Sequence, residues 1–463
     1  MPDLLPLDEN SLGSLLLAVA GLGVLLLLGV LLRALVPLLR RFFIPAALLG
    51  GLVGLLLGPH ALGLVPESIT TTWSGIAGIL ITIVFAPMLM GTHLPKVREA
   101  AREAAPHVFY SYFSSFAVVA VPALLTFFVF TPLFGTTPIF STIFEVSWPG
   151  GHGTAAGMEE AYTALGWGDG SSVALGSATG GLVFGIVAGM VMINIAARTG
   201  QLANYSGGGT EVASDILPEH EAQVESTGRL QRASLDNLAF HLSLIAVAVL
   251  LGYGLKYVVD MVITGVPLFP LAMIGGLLVH LVIVRTPAQK LVDKATLNSI
   301  AGVALDFLVV SAVASLSLPV LLENWQALAI TLTVMAVMSV AIFYWIGPRI
   351  FGENWVENSI VNFGAMTGVV SIGLVLLRAA DPNFRTGAFR GFALRAPFAS
   401  PFVGGGLVTA MFPIAVANWG NLGVGITCAL LCALLIGLAM LTGVWKSPSA
   451  RAADRGEQSV PVR

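Results

Sequence analysis

Residues 147–162 read SWPGGHGTAAGMEEAY: a proline, two glycines, a histidine, a threonine and two adjacent glutamates inside a chain that is otherwise apolar. The chain has 463 residues, 56% of them hydrophobic and 10% charged, and a mean hydropathy of +0.89. Soluble domains carry about 25% charged residues, so the composition predicts an all-α polytopic membrane protein. Where lipid is the solvent, a backbone group outside a helix must find a partner in protein or in a water-filled cavity. A run of glycines with a histidine and a threonine is therefore read as the tip of a re-entrant hairpin, not as part of a span.

Working outward, apolar runs of about 20 residues, the length that crosses a bilayer, lie near 14–32, 42–59, 75–91, 107–130, 172–196, 237–259, 267–284, 300–320, 327–346, 397–418 and 422–444. Two stretches, 138–165 and 355–380, are too interrupted to span and are read as hairpins. All 22 Lys and Arg residues except Lys256 fall on the odd-numbered connections or the tail. That asymmetry predicts cytoplasmic odd-numbered connections, an N-terminus outside and a C-terminus inside. Arg378, Arg385, Arg390 and Arg395 form a run in the connection after the ninth span. The first ten residues, MPDLLPLDEN, carry no basic residue and do not read as a signal peptide. Cys428 and Cys432 stand at i, i+4 in one apolar run and read as small buried side chains.

The chain also repeats itself. IPAALLGGLVG (44–54) and FPLAMIGGLLV (269–279) align Pro45 with Pro270 and Gly50-Gly51 with Gly275-Gly276, 225 residues apart. HLP at 93–95 and SLP at 317–319 follow 224 residues apart, and GGLV at 180–183 and 405–408 at 225. Paired spans have opposite orientations by the charge rule. The expectation is two inverted five-helix repeats, 1–196 (hairpin 138–165) and 236–420 (hairpin 355–380). They are joined by a polar cytoplasmic linker, 197–235, and followed by an eleventh helix, 421–445, and a disordered tail, 446–463. Inverted repeats with interrupted segments in matching positions point to a secondary transporter with its site at the repeat interface.

With these features in place, GGHGT at Gly150–Thr154, after a long fourth span and before small residues, resembles the first pore-loop motif of the bacterial sodium/glutamate symporters. The glycine pairs and the 5+5 organisation agree with that family. The second loop departs from its Gly-Ala-Thr-Pro pattern: this chain has Gly364-Ala365-Met366-Thr367 and no proline, then Ser371. The eleventh helix and Arg378 are also atypical. The resemblance implies sodium-coupled symport of glutamate or a related small carboxylate, a homodimer with moving transport domains, and residence in a bacterial plasma membrane. An ion or solute channel built on the same hairpins, or a symporter of a different organic anion, is the alternative.

Candidate site residues follow from the hairpins. Gly151 and Gly153 offer backbone amides to an anion, and His152 is either a proton or substrate contact or a buried, hydrogen-bonded structural histidine. Thr154 is either a ligand of substrate or sodium or a helix cap. Asn362, Thr367 and Ser371 are polar groups within the second hairpin, and Asn362 joins Thr154 and Asp306 as a candidate sodium ligand. Asp306 lies inside the eighth span, where an acid is a functional candidate by default. Arg378 is the candidate clamp for a substrate carboxylate, through its planar fork, or else one of several orienting charges. Glu159 and Glu160 are read as a solvated hairpin exit, and Asn194, His241 and His280 as groups facing the membrane interface. No nucleophile–base set and no metal-ligand cluster is legible, so the chain is not read as an enzyme. The expected partners are a small anionic substrate and lipid, with no cofactor beyond the coupling ion and no nucleic acid.

Overall fold

The computed structural model describes residues 9–41, 44–91, 97–203, 236–352, 354–382 and 384–445. Most of the expected linker, His93–Pro95 of the second repeat match, and the tail from 446 lie outside the described residues. The described residues are helical throughout, without strands. The main helices are α1 (Glu9–Leu35), α2 (Ala46–Leu57), α3 (Glu67–Phe85), α4 (Val97–Leu125), α5 (Ile143–Ser147), α6 (Gly151–Gly157), α7 (Glu159–Ala164), α8 (Gly170–Arg198), α9 (Asn237–Val259), α10 (Leu268–Ile283), α11 (Lys294–Ala314), α12 (Trp325–Trp345), α13 (Trp355–Ala380), α14 (Ala388–Ala399) and α15 (Leu407–Leu441). Nine helices among the described residues are long and apolar enough to cross a membrane. The helices bearing the glycine pairs are shorter, at 12 and 16 residues. Pro45 and Pro267 hold extended backbone at their starts and so set where they begin.

The chain forms two compact units. Unit 1 is Met1–Thr92, His152–Gly176 and Val212–Glu323; unit 2 is His93–Gly151, Ser177–Glu211 and Asn324–Arg463.

Within unit 1 the helix contacts are reciprocal. α1 packs on α2 and α9 on α10; α2 packs on α11 and α10 on α3; α3 and α11 pack on each other. The glycine pairs make these contacts possible. A Cβ on Gly50 would strike the Leu25 carbonyl of α1, and one on Gly275 would strike the Ala248 carbonyl of α9. The second glycine of each pair faces the other set: Gly51 lies against Val313 of α11, and Gly276 against the Ala86 carbonyl at the end of α3. Two apolar clusters flank the crossing, one around Leu22, Leu25, Trp73 and Val310, the other around Met90, Ile245, Val279 and Leu297. Trp73 Nε1 donates to the Ala18 carbonyl, 3.0 Å away, which fixes α3 on α1. Asp293 caps α11 through the Ala295 and Thr296 amides. The next residue, Lys294, donates to the carbonyls of Pro87, Met88 and Met90, satisfying acceptors at the end of α3. His241 departs from the expected interfacial position. It is fully buried, bonded through Nδ1 to the Asn237 carbonyl and through Nε2 to the Asp293 amide.

Unit 2 is built on α4. Two of its long helices are folded back on themselves. α13 loses helical geometry at Gly368 (φ −161°, ψ 38°) and Val369 (φ 67°, ψ 170°). Gly364 of the first arm then lies against Gly373 and Ile372 of the second. Residues nine apart in a straight helix are about 13 Å apart, so α13 is a helical hairpin of arms 355–367 and 370–380. α15 turns at Gly420 (φ 69°, ψ 165°). Beyond it the chain runs antiparallel to α4: Gly425 meets Ala123 and Leu124, while Cys432 Sγ donates to the Phe113 carbonyl. The expected tenth and eleventh spans are thus separate segments. The expected continuous span at 397–418 is corrected: α14 stops at Ala399, and the chain is unwound over 400–406 before α15 begins. The cause is local. Pro401 and three consecutive glycines lie there, with Gly404 and Gly405 at φ 69° and 102°.

Candidate functional site

Three helices of unit 2 and the unwound segment meet at a small cavity of about 50 Å³, roughly the room of one or two waters. Its walls include Tyr110 and Ser114 of α4, Asn362 of α13, Arg395 of α14 and Gly404 of the unwound segment. Each of the first four carries a buried polar atom without a hydrogen-bond partner: Tyr110 OH, Ser114 Oγ, Asn362 Oδ1 and Arg395 Nε. Buried polar groups are rarely left unpaired, and four around one cavity mark a place where water or a ligand is held.

Arg395 is 7% exposed. Its Nη1 donates to Ser111 Oγ at 2.9 Å, and its guanidinium carbon lies 4.1 Å from the Phe392 ring centre. No carboxylate pairs with it among the described residues. An unpaired buried charge costs several kcal/mol. A planar fork held by one hydroxyl and one ring is preorganised for a carboxylate.

Asn362 is fixed by a chain of hydrogen bonds. Asn358 Nδ2 donates to the Asn354 carbonyl, so Asn358 Oδ1 is an acceptor, facing His107 Nε2 at 3.1 Å. The His107 proton therefore sits on Nε2, and Nδ1 accepts from Asn362 Nδ2 at 2.7 Å. Asn362 Nδ2 also donates to the Asn358 carbonyl. Both amide protons are thereby used, and the unpaired atom is an acceptor. The cavity walls thus combine a cation, two hydroxyls and an amide carbonyl, groups that suit a carboxylate and an ammonium on one small molecule.

Glu145 of α5 stands beside this cavity. It is fully buried, and Oε1 accepts from Ser115 Oγ (2.5 Å), the Gly404 amide (3.1 Å) and Thr409 Oγ1 (2.9 Å). Ser115 and Gly404 also line the cavity.

The two expected hairpin tips meet in unit 2. Gly151, at φ 69°, lies so close to Val369 Cγ1 that a Cβ would overlap it. Thr367 is buried, donates to the Phe363 carbonyl at 2.9 Å, and packs on Gly181 and Gly185 of α8. Ser371 and Arg378 are exposed, Arg378 lying 5.9 Å over the Phe384 ring. His152, Gly153, Thr154 and Asp306 belong to unit 1. His152 and Thr154 are buried, Gly153 packs on Ile81 and Leu308, and Asp306 is exposed. Also in unit 1, Glu159 Oε2 accepts from Ser74 Oγ, and Glu160 pairs at 3.0 Å with Lys256, the one cation outside the charge pattern.

The model of the sodium/glutamate symporter family matches residues 10–370, which include the glycine pairs, the GGHGT tip and the first arm of α13. The chain belongs to the sodium/glutamate symporter family. No curated protein matches it. The symporter is accordingly a multi-pass membrane protein of a family of cation-coupled glutamate transporters. The matched stretch ends before α14 and α15, so Arg395, Gly404 and Thr409 lie beyond it. Sequence reasoning did not single out Arg395 or Glu145. Arg395 was counted among the orienting charges. Its signal was its place, five residues before the serine of SPFVGGG; for Glu145 it was an isolated acid in the apolar run IFSTIFEVSW.

Proposed function

We propose that the chain is a secondary active transporter that couples uptake of glutamate, or a closely related amino acid, to a sodium gradient, with Arg395 receiving a substrate carboxylate. The observation that carries this reading is the buried guanidinium without an anion, ringed by unpaired polar atoms. Asn362 Oδ1 and Tyr110 OH are the complementary contacts for the ammonium. The cavity of about 50 Å³ is too small for an amino acid, so it has to widen for loading. That requirement fits alternating access with moving domains and argues against a static channel.

The reciprocal helix contacts of unit 1 and the matched glycine pairs support two inverted repeats. The folded-back α13 and the turn at Gly151 support two hairpins, re-entrant from opposite faces. The charge asymmetry supports an N-terminus outside and a C-terminus in the cytoplasm of a bacterial cell. A homodimer is the assembly that the family resemblance favours.

The test is reconstitution into liposomes with an imposed inward sodium gradient. The reading requires saturable accumulation of radiolabelled L-glutamate or a close analogue that collapses when potassium replaces sodium. Flux that never saturates and ignores the gradient would point to the channel instead.

A further inference from the structure

The unwound segment 400–406 and the carboxylate beside it adjoin the substrate cavity and share Ser114 and Gly404 with its wall. We propose that Glu145 Oε2 is a ligand of the coupling cation, a sodium ion held between this carboxylate and an oxygen of the unwound backbone. The role in coupling rests on the symport reading above; the binding of the ion does not.

Hydrogen-bond directions identify the coordinating oxygen. The Gly404 amide can only donate. Thr409 Oγ1 accepts from the Gly405 amide, so its single proton is directed to Glu145. Oε1 is therefore an acceptor of at least two bonds, and Ser115 Oγ shares the same oxygen. Oε2 is buried and has no partner. The carbonyl of Gly405 accepts no hydrogen bond among the described residues, and Gly405 is buried. Ser114 Oγ, beside Ser115 on α4, is also unpaired. An acidic oxygen, an unwound carbonyl and a hydroxyl are hard ligands, the set that suits a hard, weakly polarising cation. Carbonyls of broken helices serve this purpose in transporters.

Charge gives the reason for coupling. In the loaded unit Arg395 offsets the substrate carboxylate and the sodium ion offsets an ionised Glu145. A glutamate anion adds one negative charge, and one sodium ion restores neutrality. The connection is direct: Ser115 and Gly404 line the substrate cavity and bond Glu145, so an ion on Oε2 bears on two wall groups at once. Each ligand then raises the affinity for the other.

The experiment uses the purified full-length protein without substrate. Thermal unfolding is followed while sodium chloride replaces choline chloride or potassium chloride at constant ionic strength and pH. The expected result is a saturable, sodium-selective rise in Tm for the wild type. Glu145→Gln should lose that rise, and Glu145→Asp should keep it with a midpoint at least tenfold higher. Ser114→Ala removes one oxygen and almost no volume, and should raise the sodium midpoint several-fold; it carries the test if Glu145→Gln does not fold. A wild-type sodium response in Glu145→Gln, or in Ser114→Ala where that variant carries the test, overturns the proposal. So does a Tm that follows pH and ignores sodium. Because no substrate is present, a sodium response that depends on Glu145 stands even if glutamate uptake fails. Sodium-driven uptake with an unaltered sodium response in Glu145→Gln removes the site and leaves the symport reading intact.

Discussion

Arg395 and Glu145, opposite charges, are held one helical turn apart on the same face of α4. Ser111 Oγ accepts from Arg395 Nη1, and Ser115 Oγ donates to Glu145 Oε1. Four residues of helix rise about 6 Å. α4 therefore sets the spacing of the two charges, while α14 and α5 bring them to it.

The meeting of Gly151 with Val369 predicts a rescue. Gly151→Ala places a methyl on a residue at φ 69° and into Val369 Cγ1. Uptake should fall at least tenfold in a protein that still folds. Val369 itself holds a positive φ, a conformation that costs a branched residue about 1–3 kcal/mol. Val369→Gly removes the obstacle and that strain, so Gly151→Ala/Val369→Gly should recover most of the lost uptake. Proteoliposome uptake by the three variants checks it; no recovery in the double variant would mean that the tips do not meet in the working protein.

His107 acts on the site through Asn362. His107→Ala removes the acceptor that directs the Asn362 amide protons away from the cavity. The amide is then free to turn a donor toward the substrate ammonium. Apparent KM should rise about tenfold, equivalent to about 1.4 kcal/mol, with kcat changed much less. Asn362→Leu, which deletes the acceptor, should raise KM further. A kinetic series on the two variants separates this role from a purely structural one, which would lower the amount of folded protein and leave KM alone.

The glycine pairs make a stability prediction. Gly50→Ala and Gly275→Ala each drive a methyl into a facing carbonyl, an overpacking expected to cost about 1–3 kcal/mol. Gly13→Ala and Gly23→Ala meet nothing within 4 Å and gain the better helix propensity of alanine. The first pair should lower Tm by similar amounts, and the second should leave it unchanged or raise it slightly. Unequal losses for Gly50 and Gly275 would count against equivalent roles in two repeats.

Much of the fold was legible because its signals are local. Span length and the glycine pairs each act within one helix or one contact, and the folded-back α13 and the turn at Gly420 followed from interruptions in apolar runs. The substrate cavity was less legible, because it is assembled from α4, α13 and α14 across some 280 residues of sequence, as in the bond from Arg395 to Ser111. Arg378 and Arg395 look alike in a run of spaced arginines. Only packing distinguishes them: Arg378 ends an arm in the open, while Arg395 is covered by Phe392 and α4. Glu145 was passed over because its value lies in the turn at Gly404, and no pattern in IFSTIFEVSW points there.

The account turns on Arg395 as the partner of the substrate carboxylate. The direct measurement is sodium-driven glutamate uptake in proteoliposomes by wild type, Arg395→Lys, Arg395→Ala and Arg378→Lys, with folded protein quantified for each. Lysine keeps the charge and loses the two-pronged fork. Arg395→Lys should raise apparent KM at least tenfold, Arg395→Ala should show no uptake, and Arg378→Lys should stay within about threefold of wild type. Near-wild-type kinetics in Arg395→Lys and Arg395→Ala, with uptake lost in Arg378→Lys, would contradict it and move the carboxylate site to the end of α13.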